Sequence, residues 1–177
     1  QQIPTRGCPS QRPIRWASKL DGRMADLASL GAIFKAYDVR GTVPDQLDAA
    51  LCERIGAAFA RFAVDQGGAE RVLVARDMRP SGVELAAAFA AGVQRQGLDV
   101  VDLGLASTDL MYFAAGRLDA PGAMFTASHN PARYNGIKLC RAGARPVGQD
   151  SGLTEIRDRA QQILDAGARG PSATVDV

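Results

Sequence analysis

Cysteine is scarce here. Cys8, Cys52 and Cys140 are odd in number and widely spaced. There is no C-x-x-C, and His129 is the one imidazole. A structural zinc site wants four N or S ligands, so none is expected, nor is a disulfide framework. Reduced thiols in a cytoplasm are the expectation. Long apolar runs are also missing. The longest, residues 85–93, is too short to span a bilayer and lies within an amphipathic pattern, so no membrane partner is expected. Charge excess is absent as well. Lys plus Arg number 21 against 19 Asp plus Glu, a net +2, which argues against a nucleic-acid partner. Lysine itself is rare: Lys19, Lys35 and Lys138 leave 18 of the 21 cations to arginine. Against that background a surviving lysine invites a role that needs an ammonium.

What is present suits one domain. A chain of 177 residues can bury a real core, and 46% hydrophobic with 23% charged residues is ordinary for a globular protein. Residues 1–28 carry Pro4, Pro9 and Pro13 without periodicity and read as a disordered tail or a mis-assigned start, with Met24 as initiator. Residues 168–177 read as a frayed tail.

Between them strands and helices alternate. A first strand is expected at 33–39, ended by Gly41 and Pro44. A helix capped by Asp45 follows, with Leu47, Leu51, Ile55, Phe59 and Phe62 on one face, stopping near Gly67-Gly68. A strand at 71–75 precedes the turn Arg76-Asp77-Met78-Arg79-Pro80. Ser81 and Glu84 have the spacing of a capping box for a second helix. Strands at 99–103, 122–126 and 137–140, a short helix from Thr108 and a last helix over 150–166 complete the pattern. The expected fold is α/β, a mixed, mostly parallel sheet flanked by helices.

One loop carries the chemistry: Thr126-Ala127-Ser128-His129-Asn130-Pro131-Ala132-Arg133-Tyr134-Asn135-Gly136-Ile137-Lys138. It follows an apolar strand, and strand carboxyl ends are where α/β sheets gather ligands. Asn130-Pro131 and Asn135-Gly136 mark two turns that would hold it in one shape. As an acyl-transfer nucleophile Ser128 would want a G-x-S-x-G elbow and a distant His. Here Ala127 and His129 flank it, and an adjacent His is not expected to reach its Oγ. As a phosphoryl carrier it would need cations, which Lys138 and Arg40 can supply. The residues fit the second chemistry better. Lys138 could exchange a proton where an arginine could not. Arg76, Asp77 and Arg79 are expected to pair around their turn and brace the loop.

The stretch 126–138 matches the T-A-S-H-N-P-x-x-Y-N-G-x-K serine signature of the α-D-phosphohexomutases, the phosphomannomutases and phosphoglucomutases. Phe34-Lys35-Ala36-Tyr37-Asp38-Val39-Arg40-Gly41 resembles the family's Y-D-x-R-G segment. Residues 76–81 resemble its R-D-x-R-x-S turn. The resemblance covers about 33–166 and implies the fold of the family's first domain, here 29–167. It implies that Ser128 is a phosphoserine exchanging its phosphoryl group with a hexose phosphate through a hexose 1,6-bisphosphate. It also implies roles for Lys138 in proton transfer or charge stabilisation and for Arg40 at the phosphoryl oxygens. His129 and Tyr37 would aid proton transfer and substrate placement, and Mg²⁺ would sit on the phosphoserine. The D-x-D-x-D-R metal loop, the G-E-x-S-G-H sugar loop and the R-x-S-x-T phosphate loop are absent. The chain is therefore expected to be a fragment, partnered by the remaining mutase domains, with little mutase activity alone. A non-catalytic anion-binding or interaction domain is the alternative reading, and a serine hydrolase the third.

Overall fold

Residues 72–75 are apolar on both sides of their pleat, and such a run must be covered on both faces. It forms β2 (Arg71–Arg76), an interior strand next to one edge of the sheet of the computed structural model, which describes residues 27–168. Along the chain it is preceded by α1 (Leu27–Ile33), β1 (Val39–Thr42) and α2 (Ala49–Gly67). It is followed by α3 (Ser81–Gln94), β3 (Asp99–Leu105), α4 (Thr108–Arg117), β4 (Gly122–Phe125), β5 (Tyr134–Arg141) and β6 (Arg145–Pro146). A 3₁₀ turn at Gln149–Ser151 leads into α5 (Leu153–Ala168). The sheet order is β1-β5-β4-β2-β3, with β6 on β5. β2 is parallel to β3 and β4, whereas β5 runs against β1, β4 and β6. The mixed, mostly parallel α/β sheet expected from the sequence is the one observed.

Side-chain alternation divides the sheet into two faces. Val39, Val72, Val74, Ala123, Phe125, Ile137 and Leu139 pack in one cluster with buried residues of α1, α2, α3 and α5. Leu73, Ala75, Met124 and Cys140 pack on the other face against Met111, Ala114 and Ala115 of α4. A single helix thus covers the second face among the described residues, and no β1 residue belongs to its cluster.

Five local expectations are corrected. Ile33 closes a helix rather than opening a strand, and β1 begins at Val39 after an isolated Phe34–Val39 bridge. Gly41, a stop signal in the sequence, lies inside β1. A Cβ there would come within 3.0 Å of Gln46 and 3.2 Å of Ile33, so its absence lets the next turn fold back on the strand. The cap of α2 is Asp48, not Asp45; its carboxylate accepts from Leu51 N at 2.8 Å. Ser81 makes no cap. Pro80 precedes α3 in helical conformation, and Ser81 Oγ accepts from Asn135 Nδ2 at 2.9 Å. The last helix proper starts at Leu153, after the 3₁₀ turn. The expected tails lie outside the described residues, except Leu27 and Ala28, which open α1, and Ala168, which ends α5.

Two glycines set the distance between α2 and α3. A Cβ at Gly56 would stand 2.1 Å from Phe89 O, and one at Gly92 would stand 1.9 Å from Glu53 O. Both obstacles are backbone, so neither can swing away. Helix propensity alone would favour alanine by about 1 kcal/mol. We expect Gly92→Ala to destabilise instead, by about 1–3 kcal/mol in urea unfolding, because the helices must part. Gly31→Ala in α1, with nothing within 4 Å, should gain a few tenths of a kcal/mol. Cys52 and Cys140 are buried, and burial raises both thiol pKa values, Cys140 to about 11. Since the thiolate is the reactive form, neither should alkylate in the native chain near neutral pH, while both should after denaturation.

Candidate active site

β4 ends at Phe125, and the loop beyond it is turned back by hydrogen bonds rather than by apolar packing. Thr126 is buried; its N–H donates to Gly136 O at 3.0 Å, and its Oγ1 accepts from Ser128 N at 3.0 Å. Asn130 donates twice to Ala127 O, from its backbone N at 3.0 Å and its Nδ2 at 2.9 Å. Asn135 is fully buried, accepts from Gly136 N at 2.8 Å and donates to Ser81. Gly136 is required by close approach, since a Cβ there would stand 2.3 Å from Val39 O.

Arg79 organises this loop from the neighbouring turn. Its Nη2 donates to Ser128 O at 2.9 Å and Asn130 O at 2.7 Å. Its Nη1 donates to Pro131 O at 2.9 Å and Tyr134 O at 3.0 Å. Nε is held by Asp77 at 3.3 Å, and Asp77 also accepts from Arg79 N. All five N–H donors of a guanidinium are thereby used. The bracing expected from the R-D-x-R turn is present in Arg79 and Asp77, whereas the Arg76 side chain makes no hydrogen bond or ion pair among the described residues.

Ser128 results from this bracing. Its φ is +53°, a left-handed conformation that a residue with a Cβ adopts at a cost of about 1–2 kcal/mol. Ser128 and His129 are exposed, and a 3.1 Å hydrogen bond joins Ser128 Oγ and His129 Nδ1. The adjacent histidine does reach the hydroxyl, contrary to expectation, because the kinked backbone sets successive side chains next to each other. No carboxylate bonds His129 among the described residues, so the third member of a hydrolase triad is not in place.

The other candidate residues meet on β1 and β5. Val39 pairs with Ile137, which sets Asp38 opposite Lys138, and Arg40 pairs with Gly136. Ile137 and Leu139 face the larger core, so alternation turns Lys138 to the sparsely covered face. Asp38 Oδ2 accepts from Arg40 Nη2 and, at 3.4 Å, from Lys138 Nζ. The Asp38 residue is 8% exposed. Arg40 Nε is buried with no hydrogen-bond partner, an arrangement that costs about 1–3 kcal/mol while unfilled. Tyr37 is 79% exposed, with its ring beside Gly148. Among the described residues no hydrogen bond or ion pair joins the Ser128–His129 pair to the Arg40–Asp38–Lys138 cluster. Asp38 was the residue that the sequence left without a role, although it stands within the Y-D-x-R-G segment.

No group of three or more His, Cys, Asp or Glu side chains that could hold a metal occurs among the described residues. Asp38 and Asp77 are both engaged by cations. The donors present do not make a Mg²⁺ site on their own. No helix among the described residues is long and apolar enough to cross a membrane.

Residues 31–166 match the family described as phosphoglucomutase/phosphomannomutase, alpha/beta/alpha domain I. The phosphohexose mutases of Xanthomonas campestris are 48% identical over 126 residues, 71% of this chain and 27% of theirs. A Klebsiella pneumoniae phosphomannomutase is 40% identical over 149 residues, 81% of this chain and 92% of its own length. The crystal structure of a phosphoglucomutase/phosphomannomutase family protein from Burkholderia thailandensis superposes with a TM-score of 0.68 at 38% identity. That match covers 75% of this chain and 30% of the other. The chain thus spans under a third of the length of the Xanthomonas and Burkholderia proteins.

Removing Arg79 should loosen the loop before anything else. Lysine has three donors in a compact ammonium and cannot reach four carbonyls in a plane. We expect Arg79→Lys to lose about 2–4 kcal/mol in chemical denaturation. Hydrogen exchange should accelerate at the amides of 128–134 and stay slow in α2. Unchanged exchange there would show that the loop holds its shape without the fork.

Proposed function

The chain belongs to the phosphoglucomutase/phosphomannomutase family, and from that premise we propose that it is the phosphoserine-bearing domain of a hexose phosphate mutase. The observation that carries this reading is Ser128: an exposed hydroxyl on a loop that Arg79 fixes, bonded to His129, at the end of β4. A nucleophile that must present one atom to a large substrate, then accept a group back, gains from such a fixed mount. In the forward half-reaction the bond between phosphorus and Ser128 Oγ breaks, and a new one forms to a hexose phosphate hydroxyl. The product is a hexose 1,6-bisphosphate, which turns over and returns its other phosphoryl group to Ser128. Ser128 Oγ leaves as an alkoxide and needs a proton, and His129 is in hydrogen-bond reach to supply one and later remove it. Lys138 and Arg40 provide positive charge for the transferring phosphoryl oxygens, with Lys138 also able to move the proton of the attacking hydroxyl. Tyr37, standing clear of the domain, takes the role of placing the sugar.

The Mg²⁺ that the family resemblance implies would take its first ligand from the phosphate on Ser128, with the rest from donors outside the described residues. The remaining mutase domains would be the chain's partners and would supply sugar selection. A cytoplasmic setting goes with this reading, where hexose phosphates and reduced thiols coexist.

The test is intact-mass measurement after incubation with glucose 1,6-bisphosphate. The chain should gain the mass of one phosphoryl group, and Ser128→Ala should gain none. If the wild-type chain stays unmodified, the reading falls and the non-catalytic anion-binding domain takes its place. Modification by a fluorophosphonate probe at Ser128 would instead point to acyl chemistry.

A further inference from the structure

The domain holds two arginines in contrasting states. Arg79 has every donor occupied and a carboxylate beside it, as befits a strut. Arg40 is half-used: Asp38 engages its Nη2, and its Nε is buried with no partner. Lys138 likewise gives one hydrogen bond, to the same Asp38 oxygen, from an ammonium with three donors. Two cations and one carboxylate leave the cluster with a net charge of +1. Among the described residues no other acid lies within ion-pair distance of either cation. A purely structural ion pair would close on itself; here the Arg40 and Lys138 side chains remain 23% and 28% exposed, so donors stay within reach of an anion.

We propose that Asp38 is a positioning residue for phosphoryl transfer, gathering the Arg40 guanidinium and the Lys138 ammonium on one oxygen so that their remaining donors form a receptor for phosphoryl oxygens. The proposal rests on the mutase reading above for its reaction, though not for its geometry. Without the carboxylate, two like charges on neighbouring strands repel, and each long side chain gains entropy by turning to solvent. With it, both heads are held together before substrate arrives, and the receptor is preorganised. Asp38 is suited to this because it sits at the strand entrance, in register with Lys138 and two residues from Arg40, and is itself largely buried.

The experiment uses the full chain and Asp38→Asn, which keeps the shape and one acceptor but removes the charge. Circular dichroism and thermal unfolding check the fold. The three lysines of the sequence make lysine-selective NMR simple to read. In wild type, inorganic phosphate should shift the Lys138 side-chain signals and the Arg40 Nε–H. In Asp38→Asn the Lys138 signals should collapse toward those of a free lysine, and phosphate affinity should fall about tenfold or more. Phosphorylation of Ser128 by glucose 1,6-bisphosphate should slow by at least a similar factor, and Asp38→Glu should recover part of both. Wild-type phosphate affinity together with an unchanged Lys138 signal in Asp38→Asn would overturn the proposal. Should Asp38→Asn not fold, Asp38→Glu takes its place, because a displaced charge must still move the Lys138 signal and weaken phosphate binding. Failure of wild type to phosphorylate Ser128, with the phosphate titration behaving as expected, would count against the mutase reading alone.

Discussion

The guanidinium of Arg79 satisfies five acceptors at once, and the candidate site depends on that one side chain. Four of the acceptors are backbone carbonyls of Ser128, Asn130, Pro131 and Tyr134, which reverse direction within seven residues and have few ladder partners. Such a loop would ordinarily turn these groups to water and fluctuate. A flat fork of fixed geometry cross-links them instead, and Asp77 neutralises the fork and fixes its orientation. The strained φ of Ser128 is affordable only in that setting. A left-handed serine on a free loop would relax, and with it would go the contact between Oγ and His129.

A second constraint acts through the sheet. β5 is the strand that reverses direction, and it thereby joins the carboxyl end of the loop to β1. Residues 38–40 and residue 138 are about a hundred positions apart in sequence, yet the antiparallel register sets them opposite one another. The same strand begins at Tyr134, whose carbonyl Arg79 holds. One strand therefore anchors both groups of candidate residues: the serine loop through its first residue and the cationic cluster through its fifth. Any slip of register by one residue would turn Lys138 into the larger core, where a lone ammonium is costly to bury.

These relations explain which features could be read from the sequence. The apolar stripe of α2, the two-faced strand β2 and the loop from Thr126 to Lys138 were legible because each is a local pattern with a local cause. The bracing role of the R-D-x-R turn was legible as well, since an arginine and an aspartate two residues apart beside a polar loop have few other uses. What stayed hidden depended on partners distant in sequence. Ser81 has the spacing of a capping box, but Asn135, 54 residues on, claims its hydroxyl. Asp48 caps α2 where Asp45 was equally placed on paper, because the turn after Thr42 delays the helix. Gly41 looks like a strand stop and is a point of close approach. Asp38 could be seen in its motif, but the reason for an acid there appears only once Arg40 and Lys138 converge on it.

The uneven clothing of the sheet gives these details a direction. Four helices share the larger core, while the other face has α4 over its middle strands. The cationic cluster lies on that thinly covered face, at the β1–β5 side, with a net positive charge and unfilled donors. In an isolated globular domain such a surface would cost solvation for no return, since buried polar groups are normally paired. It makes sense where something anionic completes it, and under the mutase proposal a phosphoryl group on Ser128 has the charge and the acceptors to do so. The scarcity of lysine sharpens the same point. Arginine was available at nearly every basic position of this chain, and it was used for the strut at residue 79. At residue 138, facing Asp38, the chain keeps an ammonium, the one cationic head of the two that can give up its proton during a reaction.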